Sequence, residues 1–245
     1  MPTIYLSPST QENNFYVTGG TEEEYMNRIA DAMEPYLRSS GIRFLRNTPD
    51  MTAASSIRAS NAANVDLHVA IHSNAAPENR YGQVRGTDVY YAPTSANGRR
   101  AAEIFAANLK RIYPTPSLVR AIQTTALGEV TRTRAPAVLI ELAYHDNVDD
   151  ANWITSNISN IARNLVQSIT EYFGLPFVEA TPAREGRVSV RSGNLNIRSK
   201  PSLNASVIAS APKGAAITVL GRWRDWYVVD YNGTIGYAAA QFITV

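Results

Sequence analysis

The sequence has no cysteine and only three histidines, at positions 68, 72 and 145. Without thiols, disulfides, thiolate metal sites and cysteine nucleophiles are excluded together. No apolar run approaches the roughly 20 residues that cross a bilayer, so no membrane span is expected. The N-terminal MPTIYLSPST lacks the basic start and apolar stretch of a secretory leader. Either a signal has been removed or export does not use one. No glycine-rich phosphate loop and no RNA-stacking motif follows any strand-like run, which leaves dinucleotide and nucleic-acid functions without support. What is present is a chain of 245 residues, 44% apolar and 18% charged. That length suits one large domain or a catalytic domain with a small additional module, and the balance suits a soluble globular chain.

The chain changes character near residue 180. Up to residue 177, runs of strand type (Thr3–Leu6, Gly41–Leu45, Asp66–His72, Gly86–Tyr91, Ala137–Leu142) alternate with helical patterns at Glu22–Ser39, Ala53–Asn64, Gly98–Arg111 and Asp150–Phe173. In the first helix Tyr25, Ile29, Met33 and Leu37 share a face, and Thr21 with Glu24 reads as a capping box. Such alternation predicts an α/β domain over 1–177, a mostly parallel twisted sheet flanked by helices, with its site at the carboxyl ends of the strands. Residues 178–187 carry Pro, Gly and charge without periodicity and read as a linker. From 188 to 245, short strands and the Asn232-Gly233 turn predict a small all-β barrel. Residues 184–245 hold eight Lys/Arg against three Asp/Glu. A basic module points to an anionic partner, with a solvated basic face as the alternative.

Two histidines lie in DLHVAIHSNAAP, Asp66–Pro77. Four residues apart on a strand they share a face but sit about 13 Å apart along it, so they cannot hold one metal ion. His68 is mid-strand and reads as a core residue; His72, at the carboxyl end beside Ser73 and Asn74, reads as a site residue. Glu141, in AVLIEL, is a carboxylate among buried-type neighbours. It is either salt-bridged or tuned for proton transfer.

At these residues the chain resembles the zinc-dependent N-acetylmuramoyl-L-alanine amidases, in a clostridial-type branch, over about residues 1–175. The likeness is an order of motifs: an opening strand, Glu22 seven residues before Ile29, IHSNA, GTDVYY, and PAVLIE ending at Glu141. LNIRSKPS (Leu195–Ser202) and DWYVVDYNGTIGYA resemble a bacterial SH3 domain. The resemblance implies hydrolysis of the amide joining N-acetylmuramic acid to L-alanine in peptidoglycan. It also implies Zn²⁺ held by Glu22 and His72, and Glu141 as the catalytic proton carrier. One feature departs from the family. The stretch after strand one, LSPSTQENN, has no histidine where the family places its first ligand, and Thr10 and Gln11 stand near that position. His145 is the expected replacement, with Asp146 and Glu12 as oxygen alternatives. Asn74, Arg132 and Arg134 are candidate substrate-binding residues. The aromatic residues Trp223, Trp226, Tyr227 and Tyr237 suit either a binding surface or a barrel core. The expected place of action is the bacterial cell wall, for a phage-type lysin or an enzyme freed on lysis. Peptidoglycan and anionic wall polymers are the expected partners. Two alternatives stand beside this: a non-catalytic wall-binding protein, and a zinc endopeptidase acting on stem peptides.

Overall fold

Strands buried on both faces must be apolar along their whole length, and VAI (69–71) and AVLI (137–140) form such strands at the middle of a sheet. The computed structural model describes all 245 residues. The chain divides into two units: Pro2–Met33 with Phe44–Tyr172, and Phe173–Val245 with Met1 and Glu34–Arg43.

In chain order, the first part runs β1 (Thr3–Pro8), α1 (Glu22–Ser39), β2 (Arg43–Arg46), α2 (Ala53–Ala63), β3 (Leu67–Asn74), β4 (Thr87–Tyr91), α3 (Ala96–Leu109), β5 (Val119–Gln123), α4 (Gly128–Thr131), β6 (Ala137–Tyr144), α5 (Val148–Ser156) and α6 (Ile158–Phe173). The sheet order is β2-β1-β3-β6-β4-β5. Strands β1, β3 and β6 pair in parallel, as do β4 and β5, while β4 runs antiparallel to β6. The sheet is thus mostly parallel. Of the expected face of α1, Ile29, Met33 and Leu37 are fully buried, while Tyr25 is only partly so and Met26 takes the remaining core position. Its start is fixed by Thr21 Oγ1 accepting from the Glu24 amide.

Two expectations about elements need correction. The single helix expected over Asp150–Phe173 is two, α5 and α6, divided at Asn157. Asn157 donates its side-chain amide to the Trp153 carbonyl at 2.8 Å, the local competition with the backbone that makes Asn a poor helix-interior residue. The expected linker over 178–187 contains strand β7 (Arg184–Val188).

With β7, the second part continues β8 (Asn194–Arg198), β9 (Val207–Pro212), β10 (Ala216–Trp223), β11 (Trp226–Tyr231), β12 (Thr234–Ala239) and β13 (Ile243–Thr244). They form a seven-stranded antiparallel sheet in the order β13-β7-β10-β11-β12-β8-β9. Its core is Val188, Leu195, Ile197, Ile217, Val219, Val229 and neighbours. The Asn232-Gly233 turn holds φ of 51° and 78°, the two positive values that a tight hairpin requires. Tyr237 is fully buried, whereas Trp223 and Trp226 are partly buried beside it. No helix of the structure is long and apolar enough to cross a membrane.

Candidate active site

The carboxyl end of β3 meets that of β6, with His72 opposite Glu141 in register and an irregularity just beyond, between His72 and Asn74. Such irregularities redirect side chains at the end of a sheet. The His72 imidazole is held at both nitrogens. Nδ1 lies 2.9 Å from Glu22 Oε1, and Nε2 lies 3.0 Å from Glu129 Oε2. Glu22 is the first residue of α1 and buried, and Asn14 Nδ2 donates to its other oxygen at 2.6 Å. Burial works against an imidazolium, but hydrogen bonds to Glu129 and Glu22 outweigh it and raise the His72 pKa to about 10. The imidazole thus sits between two carboxylates, one at each ring nitrogen.

Glu129, on the four-residue α4, links two histidines. Its Oε1 faces His68 Nε2 at 3.2 Å and accepts from Ser7 Oγ, and His68 Nδ1 lies 3.0 Å from Ser60 Oγ. Burial favours protonating Glu129, yet its hydrogen bonds with His68 and His72 win and hold the pKa at about 2. His68 is fully buried, stacked on Tyr5 with ring centroids 5.5 Å apart. It belongs to the core, as its mid-strand position suggested, and it braces the site through Glu129.

Glu141 stands apart from this network. Its Oε2 is buried with no hydrogen-bond partner. Burial, reinforced by the charges of Glu22, Asp88 and Glu129 and opposed by His72, raises its pKa to about 7. Across the β4–β6 pairing it faces Asp88, which Arg120 holds with two 2.9 Å hydrogen bonds.

The other expected residues lie elsewhere. His145 is buried, its ring stacked on Tyr16, and its Nδ1 lies 3.1 Å from both Ser73 Oγ and the Ser73 carbonyl. It is not among the groups that meet at His72 Nδ1. Asp146 accepts from the Ala76 and Gly82 amides at 3.1 and 2.7 Å, so its carboxylate pins the β3–β4 loop. Asn74 Oδ1 turns back to the Ala75 amide at 2.9 Å, as a turn former does. Arg132 and Arg134 are exposed, and their backbone is clamped by Asn61. They lead into the start of β6, about 13 Å along the strand from Glu141. Sequence reasoning missed Glu129, Asn14 and Asp88.

A family model described as N-acetylmuramoyl-L-alanine amidase matches residues 9–171, more than half of the chain. The chain belongs to the N-acetylmuramoyl-L-alanine amidase family. A model for the bacterial SH3 domain matches residues 193–244. The chain is 29% identical over 157 residues to the N-acetylmuramoyl-L-alanine amidase LytC of Bacillus subtilis (strain 168), 61% of this chain and 31% of that protein. It is 31% identical over 124 residues to the endolysin of Bacillus phage SPP1, 48% of this chain and 44% of that protein. It thus spans less than half the length of these relatives. Among solved structures, the N-acetylmuramoyl-L-alanine amidase AmiC2 of Nostoc punctiforme superposes with a TM-score of 0.62 at 16% identity, over 71% of this chain and 97% of that one. At that identity the likeness establishes the amidase fold alone.

The family implies zinc. No three His, Asp or Glu side chains converge as a metal group, but Glu22 and His72 do converge as a pair. Their 2.9 Å separation is near the ligand–ligand edge of about 3.3 Å that follows from zinc bonds of roughly 2.0–2.1 Å. Carboxylate and imidazole are both zinc donors. The pair fits the metal.

Proposed function

We propose that this amidase-family chain hydrolyses the amide between N-acetylmuramic acid and L-alanine in peptidoglycan, with Glu141 carrying the proton and Glu22 and His72 holding zinc. The observation that carries the reading is Glu141. A buried carboxylate with an unpartnered oxygen and a pKa near 7, one strand from His72, is poised to take a proton and return it at neutral pH. Zinc, when bound, supplies Lewis acidity toward the scissile carbonyl and a more acidic water. The remaining work belongs to the chain. Glu141 accepts a proton as the water oxygen adds to the lactyl carbonyl. It returns that proton to the alanine nitrogen as the C–N bond breaks, leaving a carboxylate on the glycan and a free amine on the stem peptide. Glu129 orients His72 by accepting from Nε2, which turns Nδ1 toward Glu22. Action at the bacterial cell wall follows from the substrate. The bacterial SH3 unit, with its excess of Lys and Arg, is proposed to hold the chain at peptidoglycan and its anionic polymers.

The test is digestion of purified peptidoglycan by the full chain with and without added zinc, beside Glu141→Ala. New N-terminal alanine that the variant no longer releases is the expected result. New termini within the stem peptide would make the enzyme an endopeptidase. Retention on walls with no release under any condition would make it a wall-binding protein.

A further inference from the structure

A metal in this site needs a third protein donor, and His145 is not among the groups that meet at His72 Nδ1. The groups around His72 Nδ1 indicate another. Besides Glu22 Oε1 at 2.9 Å, that nitrogen has the side-chain amide of Gln11 at 3.4 Å. Three zinc bonds of roughly 2.0–2.1 Å in tetrahedral array place their donors about 3.3 Å apart. Both separations lie near that edge.

Resting on the zinc reading above, we infer that Gln11 supplies the third protein ligand through its side-chain oxygen, in the place that the family resemblance assigns to a histidine. The segment after β1 is built to bring it there. The Ser9 amide donates to the Ile71 carbonyl at 2.9 Å and fixes the loop against β3, and Ser9 Oγ accepts from the Gln11 amide at 3.2 Å. Asn14 Nδ2 donates to both Gln11 Oε1, at 3.1 Å, and Glu22 Oε2, at 2.6 Å. As placed, Gln11 turns its side-chain nitrogen toward His72 Nδ1; a half-turn of the amide brings the oxygen there as an acceptor and gives up the hydrogen bond from Asn14, which then holds Glu22 alone. The competing donors are engaged elsewhere: Glu129 at the opposite ring nitrogen, His145 at Ser73, and Asp146 at two loop amides.

The assignment has a chemical consequence. One imidazole and two oxygens make a harder donor set than two imidazoles and one oxygen, so zinc is bound less tightly and Mn²⁺ or Co²⁺ is accepted more readily. The experiment measures zinc affinity of the full chain by competition with a chromophoric chelator, and the visible absorption of the Co²⁺-loaded protein. Wild type, Gln11→Ala, Gln11→His and Thr10→Ala are compared. Gln11 is exposed, so its replacement does not disturb the core. The expected result is zinc binding at least tenfold weaker in Gln11→Ala, with an altered Co²⁺ band, and at least tenfold tighter in Gln11→His, with Thr10→Ala unchanged. Stoichiometric metal in the wild type with the same affinity and spectrum in Gln11→Ala overturns the ligand assignment alone. So does an equal loss in Thr10→Ala, which would make the effect one of loop shape. A wild type that takes up neither zinc nor Co²⁺ overturns the zinc reading beneath it.

Discussion

The carboxylate of Glu141 costs the fold stability because its charged form is buried without a partner. Its pKa rises from 4.5 to about 7, so the folded chain retains a proton that the unfolded chain releases between those values. This contribution to stability falls as pH rises from about 4.5 to 7 and stays lost above that. Glu141→Gln removes the charge and keeps the shape. At pH 8 it is expected to melt several degrees above the wild type, from a difference of at most about 3 kcal/mol, and at pH 4 the two should melt alike. Thermal unfolding at both pH values decides it; an equal offset at both would mean the ionised carboxylate is not the source. The same variant should lose amide hydrolysis while keeping zinc affinity, since Glu141 is not one of the proposed ligands. Stability gained and activity lost at one residue is what a strained catalytic group predicts.

Among elements, the segment after β6 shows how a motif can be read for the wrong task. Asp146, expected as an oxygen alternative for the metal, and Asp150 both organise the loops beside the site. Asp150, at 0% exposure, accepts from Tyr113 Oη at 2.6 Å, from the Gly86 and Tyr144 amides at 3.0 and 3.1 Å, and from Arg85 at 3.2 Å. Asp150→Ala would leave Tyr113 and the two amides without an acceptor and Arg85 with Asp149 alone, and is expected to cost about 3–5 kcal/mol, measurable by urea denaturation. A loss below about 1 kcal/mol would mean water replaces the carboxylate. Elements with a strong apolar period were legible. The bounds of α1 agree with its pattern, and β6 is plain from its apolar run. The elements that were not legible carry weak periods. Helix α4 has four residues, too short to show any face, so the approach of Glu129 to His72 had no signal. Strand β5 is an edge strand with a single fully buried residue, Val119. Strand β7 alternates, but Gly186 is one of its inward positions, where an added Cβ would meet Ile243 at 2.9 Å; a glycine leaves no apolar mark in the sequence. His72 and Glu141 stood out in the sequence as polar residues within or at the carboxyl end of apolar strands, whereas Glu22 was named only through the family resemblance. Residue type alone gave Gln11 no signal as a ligand; the proposal for it comes from the loop that places it beside His72.

At the scale of the whole chain, charge is distributed by unit. The 184–245 segment has eight Lys/Arg and three Asp/Glu, while the chain in total has 23 and 21. An excess of this size on a small sheet attracts polyanions over about a Debye length, near 8–10 Å in physiological salt. Arg187, Arg191, Arg222 and Arg224 all lie in this unit and are exposed, and none holds a carboxylate in an ion pair. Replacing the four by Gln in the Glu141→Gln background isolates binding from hydrolysis. If anionic polymers are the partner, sedimentation with intact cell walls should fall severalfold in the variant. It should fall likewise for the parent between 50 and 500 mM salt, and walls stripped of those polymers should bind parent and variant alike. Binding that is indifferent to salt and to the four substitutions would instead assign recognition to neutral contacts. The open groove of about 530 Å³ beside Trp226, Tyr227 and Gln241 is where these would form, and Trp226→Ala would then abolish sedimentation where the arginine changes did not.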